Sequence, residues 1–365
     1  MNLSEQNILL FSRSTQHGGT ENVILQLCEI LKPIVNKIVV CTADGFKAKK
    51  LAEMGIKHYT IPDIQDKSLK TMLKIAKQLK QIVKDEQITV VHSHHRMAAF
   101  YTELLFGKNI VKIANAHNTF TDKGVLTRFA YRNTHMIAVG EKVKENLVDY
   151  YRIPDKQVTV IHNAIKPFNG KMEIVEELQE ARDAGYMLIG NIGRLSEQKG
   201  VTYFIQAAAK VVAVCPKVKF FIIGSGELEE ELKTETMNLL PERSLAFLGY
   251  RSDIQNVMLQ FDFVVLSSLW EGLPLTPIEA FSVGKAVVAT AVDGTPEIVQ
   301  DRRNGLLVKP KDVDGLADAM VEMIDNKDER EQFGDEAYKR YEAEFSFKKM
   351  AERYVEYYKG ISGAI

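Results

Sequence analysis

FDFVVLSSLWEGLPLTPIEA, residues 261–280, reads as a strand, a loop and a helix start in succession. Residues 261–269 form an apolar, β-branched run of the length expected for a strand buried on both faces. Residues 271–279, EGLPLTPIE, pass from a loop into a helical pattern whose Pro277 suits a first-turn position. Glu271 therefore falls just past the carboxyl end of a strand, and Glu279 near the start of the next helix. In an open parallel sheet, ligands bind in that crevice. Two carboxylates there, with the amides of Gly272, Leu273, Leu275 and Thr276 between them, suit a polyhydroxyl ligand joined to phosphate. A loop charge and a solvated helix face remain the alternative from these residues alone.

The same strand–loop–helix order runs outward in both directions. NILLFS, KIVVCT, IKHYTI, ITVVHS, IVKIANA and MIAVG are strands separated by helix-like stretches, and VTVIHNAI (158–165) leaves the first half. MLIGNIG opens the second half, and KFFIIG, LAFLG, KAVVATAV and NGLLV continue it. Such alternation implies an α/β chain of doubly wound parallel sheets with right-handed crossovers. At 365 residues and 45% apolar content there is material for two cores. The expected division is 1–165 and 166–345, with a final helix over 346–365.

Cys28, Cys41 and Cys215 lie in apolar periodic segments without paired spacing, as reduced core residues of a cytosolic protein do. No run approaches the ~18 apolar residues of a membrane span, and no signal peptide is evident before NILLFS. The net charge of −1 conceals an asymmetry: residues 1–165 hold 23 Lys and Arg against 15 Asp and Glu, and residues 166–365 hold 24 against 33. A basic first half fits an anionic partner. Its most basic helix, 68–84, has an apolar stripe (Leu69, Met72, Leu73, Ala76, Leu79, Val83) among Lys67, Lys70, Lys74, Lys77, Lys80 and Lys84. That pattern suits an anionic membrane surface, or else the solvated outer face of a helix. The expected location is cytoplasmic, peripheral at the inner face of the cell membrane.

Other strand ends carry polar groups. Gly18-Gly19 opens the first helix, where amides can meet phosphate or simply make a tight turn. His117 follows IVKIANA. HSHH (92–95) continues a strand with no carboxylate near in sequence, which predicts a polar lip and no metal. GNIGRLSEQKG puts Arg194 and Lys199 past a strand end, where a guanidinium fork and an ammonium can clamp a diphosphate. GSG (224–226) reads as a tight turn beside the ligand, and Tyr250, Arg251 and Ser252 as a resting place for a base. Asp312 and Asp314 are read as helix-capping residues, not metal ligands.

These residues together resemble the retaining glycosyltransferases of family 4, over nearly the whole chain. E-x7-E at Glu271 and Glu279 lies in the family's WEGLPLTPIEA setting, and GNIGRLSEQKG, GSGELEEEL, LGYRSDI and NGLLV follow the family's order. The resemblance implies the GT-B fold, two facing Rossmann-like domains with a deep cleft between them. It implies that Arg194 and Lys199 hold the donor diphosphate and stabilise the leaving group. Glu279 would bind the ribose hydroxyls, and Glu271 would face the transferred sugar with the amides from Gly272 to Thr276. Gly19 would close on the diphosphate, His117 would contact the sugar, and Arg251 would join the donor site. The chain departs from the family pattern at Gly140, His162, Ala164 and Asp293.

The implied function is metal-independent, cofactor-free transfer of a sugar, with retention, from a nucleoside-diphosphate donor, expected to be a UDP-sugar. The acceptor would be a hydroxyl of a lipid-linked or cell-surface polysaccharide intermediate, and no nucleic acid is involved. A nucleotide-sugar epimerase or hydrolase, or a non-catalytic glycan-binding subunit, would use the same cleft.

Overall fold

The computed structural model describes residues 2–13, 19–43 and 48–363. The chain divides into two compact units, one of residues 1–163 with 350–365, the other of residues 164–349.

The first unit is built on seven parallel strands: β1 (Asn7–Phe11), β2 (Lys37–Thr42), β3 (Lys57–Thr60), β4 (Val90–Ser93), β5 (Val111–Ala116), β6 (His135–Ala138) and β7 (Val158–Val160). They lie in the order β3-β2-β1-β4-β5-β6-β7. Order reverses between β1 and β4, so the carboxyl ends of those neighbours flank the crevice where such sheets bind ligands. β1 is buried at every residue, which is why NILLF is a continuous apolar run without alternation.

The second unit has six parallel strands: β8 (Met187–Ile192), β9 (Val218–Ile223), β10 (Leu245–Gly249), β11 (Phe263–Leu266), β12 (Val287–Thr290) and β13 (Gly305–Val308). Their order is β10-β9-β8-β11-β12-β13, with the reversal between β8 and β11. The strand read from 261–269 is shorter than its apolar run. Ser267 and Ser268 already belong to the loop, where both hydroxyls are hydrogen-bonded.

The basic helix spans Leu69–Asp85, capped by Ser68 Oγ, which accepts from the Thr71 amide at 3.4 Å. Its buried face is Ile75, Leu79 and Ile82, with Met72 and Val83 packed against the same core, so the stripe drawn from the sequence is right at Met72, Leu79 and Val83 and wrong at Leu69 and Leu73. Leu69 and Leu73 are 73% and 64% exposed. At about 100° per residue they lie more than a right angle from the centre of that face. The last helix, Phe347–Gly363, returns to the first unit, where Tyr354 and Tyr358 are buried. No helix among the described residues is long and apolar enough to cross a membrane.

Candidate active site

In the second unit the loops after β8 and β11 are laced together at the order reversal. The Leu269 amide donates to the Gln198 carbonyl at 2.8 Å, and Ser267 Oγ donates to the Lys199 carbonyl at 3.0 Å. Gly200, with φ +56°, closes the loop onto Ser267. A Cβ there would sit 2.3 Å from the Ser267 carbonyl oxygen, so only glycine satisfies both the backbone angle and the approach.

This lacing fixes Lys199, whose Nζ forms an ion pair with Glu271 Oε1. Ser268 Oγ donates to the same carboxylate oxygen at 2.7 Å, and Gln198 Nε2 reaches Oε2 at 3.4 Å. The Glu271 amide donates to Asp293 Oδ2 at 2.7 Å. Glu271 is 7% exposed, so its charge is desolvated and carried by these partners. Asp293 has φ +40°. It therefore adopts the backbone conformation that the expected glycine would have supplied, and its carboxylate anchors Glu271.

The helix Leu275–Phe281 begins without a side-chain cap, so its first amides are not satisfied from that source. Glu279 lies on its second turn, partly buried. Burial raises its carboxyl to about 7, although the Lys199 charge pulls the other way. Arg194 follows β8, is exposed, and makes no ion pair among the described residues. Lys199, Glu271 and Glu279 are thus electrostatically coupled at one reversal point, with Arg194 in the same β8 loop.

Arg251 is set apart. It follows β10, the edge strand, and its guanidinium is bound in a fork by Asp253 at 2.9 and 2.7 Å. Tyr250 beside it is 62% exposed. GSG packs its backbone on the β8 loop: a Cβ on Gly226 would meet the Leu195 carbonyl oxygen at 2.2 Å. Asp312 caps a helix by accepting from the Gly315 amide at 2.9 Å, and Asp314 pairs with Lys210 at 2.6 Å. Among the described residues no group of three His, Cys, Asp or Glu could hold a metal ion.

In the first unit Gly19 starts the helix Gly19–Leu31, and Gly18 lies outside the described residues. HSHH is a polar lip only in part: His95 stays half-buried at the strand end, where its Nδ1 accepts from the Met97 amide at 3.1 Å. His92 and His94 are buried, their rings stacked at 4.4 Å, and His94 stacks in turn on His117 at 5.6 Å. Period-2 alternation sends both rings to one face of a central strand, beneath the last helix. There Tyr358 OH donates to His92 Nδ1 at 2.7 Å, His92 Nε2 donates to Asn115 Oδ1 at 2.7 Å, and Asn115 Nδ2 donates to Tyr354 OH at 2.7 Å. Burial lowers His92 to about 3 and His117 to about 4, so both rings are neutral near pH 7.

Ser268, Gln198 and Asp293 are site residues that the motif spacing does not single out. Two hydroxyl residues ending an apolar strand were the available signal for Ser268.

The comparisons with known proteins agree across both units. The pattern of "Glycosyltransferase Family 4" matches residues 17–167, and that of "Glycosyl transferases group 1" matches 175–340. An Escherichia coli UDP-Gal:alpha-D-GlcNAc-diphosphoundecaprenol alpha-1,3-galactosyltransferase is 26% identical over 335 residues, 85% of this chain and 86% of that protein. The Schizosaccharomyces pombe phosphatidylinositol N-acetylglucosaminyltransferase gpi3 subunit is 26% identical over 89% of this chain and 75% of its own length. Anabaena Alr3699/HepE, solved in complex with UDP, superposes with a TM-score of 0.85 at 20% identity, covering 97% of this chain and 100% of that one. With two parallel Rossmann-like sheets, a GT-B fold and both family patterns in sequence order, the chain belongs to the glycosyltransferases of family 4.

Proposed function

We propose that this glycosyltransferase moves a sugar from UDP to a hydroxyl of a lipid-linked or cell-surface polysaccharide intermediate, with retention and without a metal. The observation that carries the reading is the Lys199–Glu271 ion pair at the β8/β11 reversal, with Arg194 in the same loop. A diphosphate entering there competes with Glu271 for the Lys199 ammonium. Glu271 is then released toward the sugar, and Arg194 and Lys199 carry the negative charge that grows on the leaving diphosphate. Two fixed cations take the part that a divalent ion plays elsewhere. Glu279, on the adjoining helix, accepts from the ribose hydroxyls. The UDP in the Anabaena neighbour and the UDP-Gal and diphosphoundecaprenol in the name of the E. coli relative support the donor and acceptor classes. The basic helix with its exposed leucines supports contact with an anionic lipid surface.

Arg194→Ala and Lys199→Ala are each expected to lower kcat/KM by about 100-fold or more, the scale of losing one charge-stabilising donor. Near-normal turnover in either would remove the clamp. The anomer formed, read by proton NMR, tests retention. Activity undiminished in EDTA tests metal independence, and rapid acceptor-free turnover of donor would favour an epimerase or hydrolase.

A further inference from the structure

The loop after β12 is stitched to the loop after β11. Thr290 Oγ1 donates to the Ser268 carbonyl at 2.6 Å, the Glu271 amide donates to Asp293 Oδ2 at 2.7 Å, and the Gly294 amide donates to the Gly272 carbonyl at 3.1 Å. The approach at Gly294 excludes any side chain, since a Cβ there would meet the Gly272 carbonyl oxygen at 2.2 Å. Asp293 is therefore held against the start of the loop that carries Glu271.

Its backbone sits at φ +40°, in the left-handed region where glycine has no steric cost. A side chain kept in such a conformation at a binding loop points to a use for that side chain. The bond from the Glu271 amide is one use, but it occupies a single oxygen. Asp293 Oδ1 has no hydrogen-bond partner and the carboxylate no ion pair among the described residues, and the side chain is half-buried. Asparagine tolerates the same backbone angle and would accept the same bond without a charge. The anchor therefore explains the shape of this side chain and leaves its charge to be explained.

The charge lies where the donor changes the balance. Lys199 is paired with Glu271, and Arg194 is exposed in the same β8 loop. A diphosphate that takes both cations leaves Glu271 and Asp293 as neighbouring carboxylates without a counter-charge. Glu279, which feels the Lys199 charge, adds a third when ionised. Hydroxyl groups donate to such carboxylates, whereas a further carboxylate meets like charge in a poorly solvated loop.

We propose that Asp293 selects the donor sugar: with Glu271 it forms a two-carboxylate surface that accepts from the hydroxyls of an uncharged hexose and turns away a uronic acid. The selection presupposes the nucleoside-diphosphate sugar already proposed for this site, and adds to it the class of sugar and the residue that sets it.

The test is calorimetry on the full chain with UDP, with UDP-glucose against UDP-glucuronic acid, and with UDP-galactose against UDP-galacturonic acid. The members of each pair differ only in carrying a hydroxymethyl or a carboxylate group. The parent should bind the neutral member of at least one pair about thirtyfold more tightly than its acid. Asp293→Asn keeps an acceptor oxygen for the Glu271 amide. It should cut that preference about fivefold or more, chiefly by tighter binding of the acid, with UDP affinity within about twofold of the parent. Asp293→Gly suits the backbone angle and should lose the preference at least as far. UDP binding with equal affinities inside both pairs would overturn the selection alone. A preference lost in Asp293→Gly but intact in Asp293→Asn would assign Asp293 to anchoring Glu271 and overturn the role of its charge. If neither UDP nor any of the nucleotide sugars bound, the donor reading and the selection would fall together.

Discussion

Lys199 and Glu271 form a buried pair whose value depends on both members. Their side chains are 17% and 6% exposed, so neither is well solvated alone. Removing one charge strands the other, which costs about 3 kcal/mol, whereas neutralising both can be nearly free. Lys199→Ala should therefore unfold at clearly lower denaturant concentration than the parent. Lys199→Ala/Glu271→Gln should recover much of that loss, because no charge is left stranded and the amide oxygen can still accept from Ser268. Activity should not return with stability, since the double variant lacks both groups assigned to the donor. A double variant no more stable than Lys199→Ala would mean that the pair is not what holds Glu271 in place.

Glu279 separates stability from binding in a different way. Burial raises its carboxyl from 4.5 to about 7 in the folded chain. Below pH 4.5 it is protonated in folded and unfolded states alike and its titration costs nothing. As pH rises from 4.5 to about 7 the unfolded chain ionises the group while the folded chain holds it protonated, so this contribution to stability is lost, by roughly 3 kcal/mol at most. Glu279→Gln should match the parent near pH 4 and exceed it in melting temperature at pH 8. UDP affinity should move in the opposite direction. The ionised carboxylate accepts from the ribose hydroxyls, so the parent's advantage over Glu279→Gln should grow as pH rises through 7. Parallel melting curves for the two proteins across pH 4 to 8 would refute the raised titration.

At the scale of elements, the helix Leu69–Asp85 turns its lysines and two leucines outward. Lysine near an anionic bilayer contributes ~1 kcal/mol per residue, and an inserted leucine contributes about 1.5–3 kcal/mol if fully buried. Sedimentation with vesicles containing anionic lipid should show binding that weakens in 0.5 M salt. It should fall about tenfold or more in Leu69→Ser/Leu73→Ser. Indifference to both changes would assign the helix to solvent.

This helix also marks the limit of what the sequence conveys about elements. Its existence, length and Ser68 start follow from periodicity and capping, which are local. Its buried face was drawn too wide because Leu69 and Leu73 are apolar but face outward, and only the sheet beneath decides which third of a helix is covered. Strand identity was legible for the opposite reason: parallel strands buried on both faces leave long apolar runs, as in NILLF and FVVL. The positions of Arg194, Lys199, Glu271 and Glu279 at strand ends were likewise legible from alternation. The pairing of Lys199 with Glu271, the Asp293 anchor and the histidine stack under Tyr354 and Tyr358 were not. Each joins residues separated by 20 to more than 200 positions, and no local pattern records which loops the sheet order makes neighbours.

For the whole molecule, the decisive feature is that the chain does not end where its second unit ends. Residues from Met350 onward belong to the first unit. They supply part of its interior: Tyr354 and Tyr358 are 1% and 2% exposed, and their hydroxyls complete the hydrogen bonds of Asn115 and His92. The first unit is therefore incomplete until the last helix has been made, while β8 to β13 need nothing from it for their own pairing. Replacing both tyrosines by alanine removes two large buried side chains, each worth about 3–5 kcal/mol, and leaves His92 Nδ1 and Asn115 Nδ2 without their partners. Hydrogen exchange should then show β4 and β5 losing protection, with β8 and β11 unchanged and UDP affinity within about twofold of the parent. Tyr354→Phe/Tyr358→Phe keeps the rings and should lose far less protection, while releasing His92 and Asn115 to rotate. If the alanine variant weakened β8 and β11 as much as β4 and β5, the two units would be a single cooperative body. The last helix would then serve the stability of both, and not the completion of one.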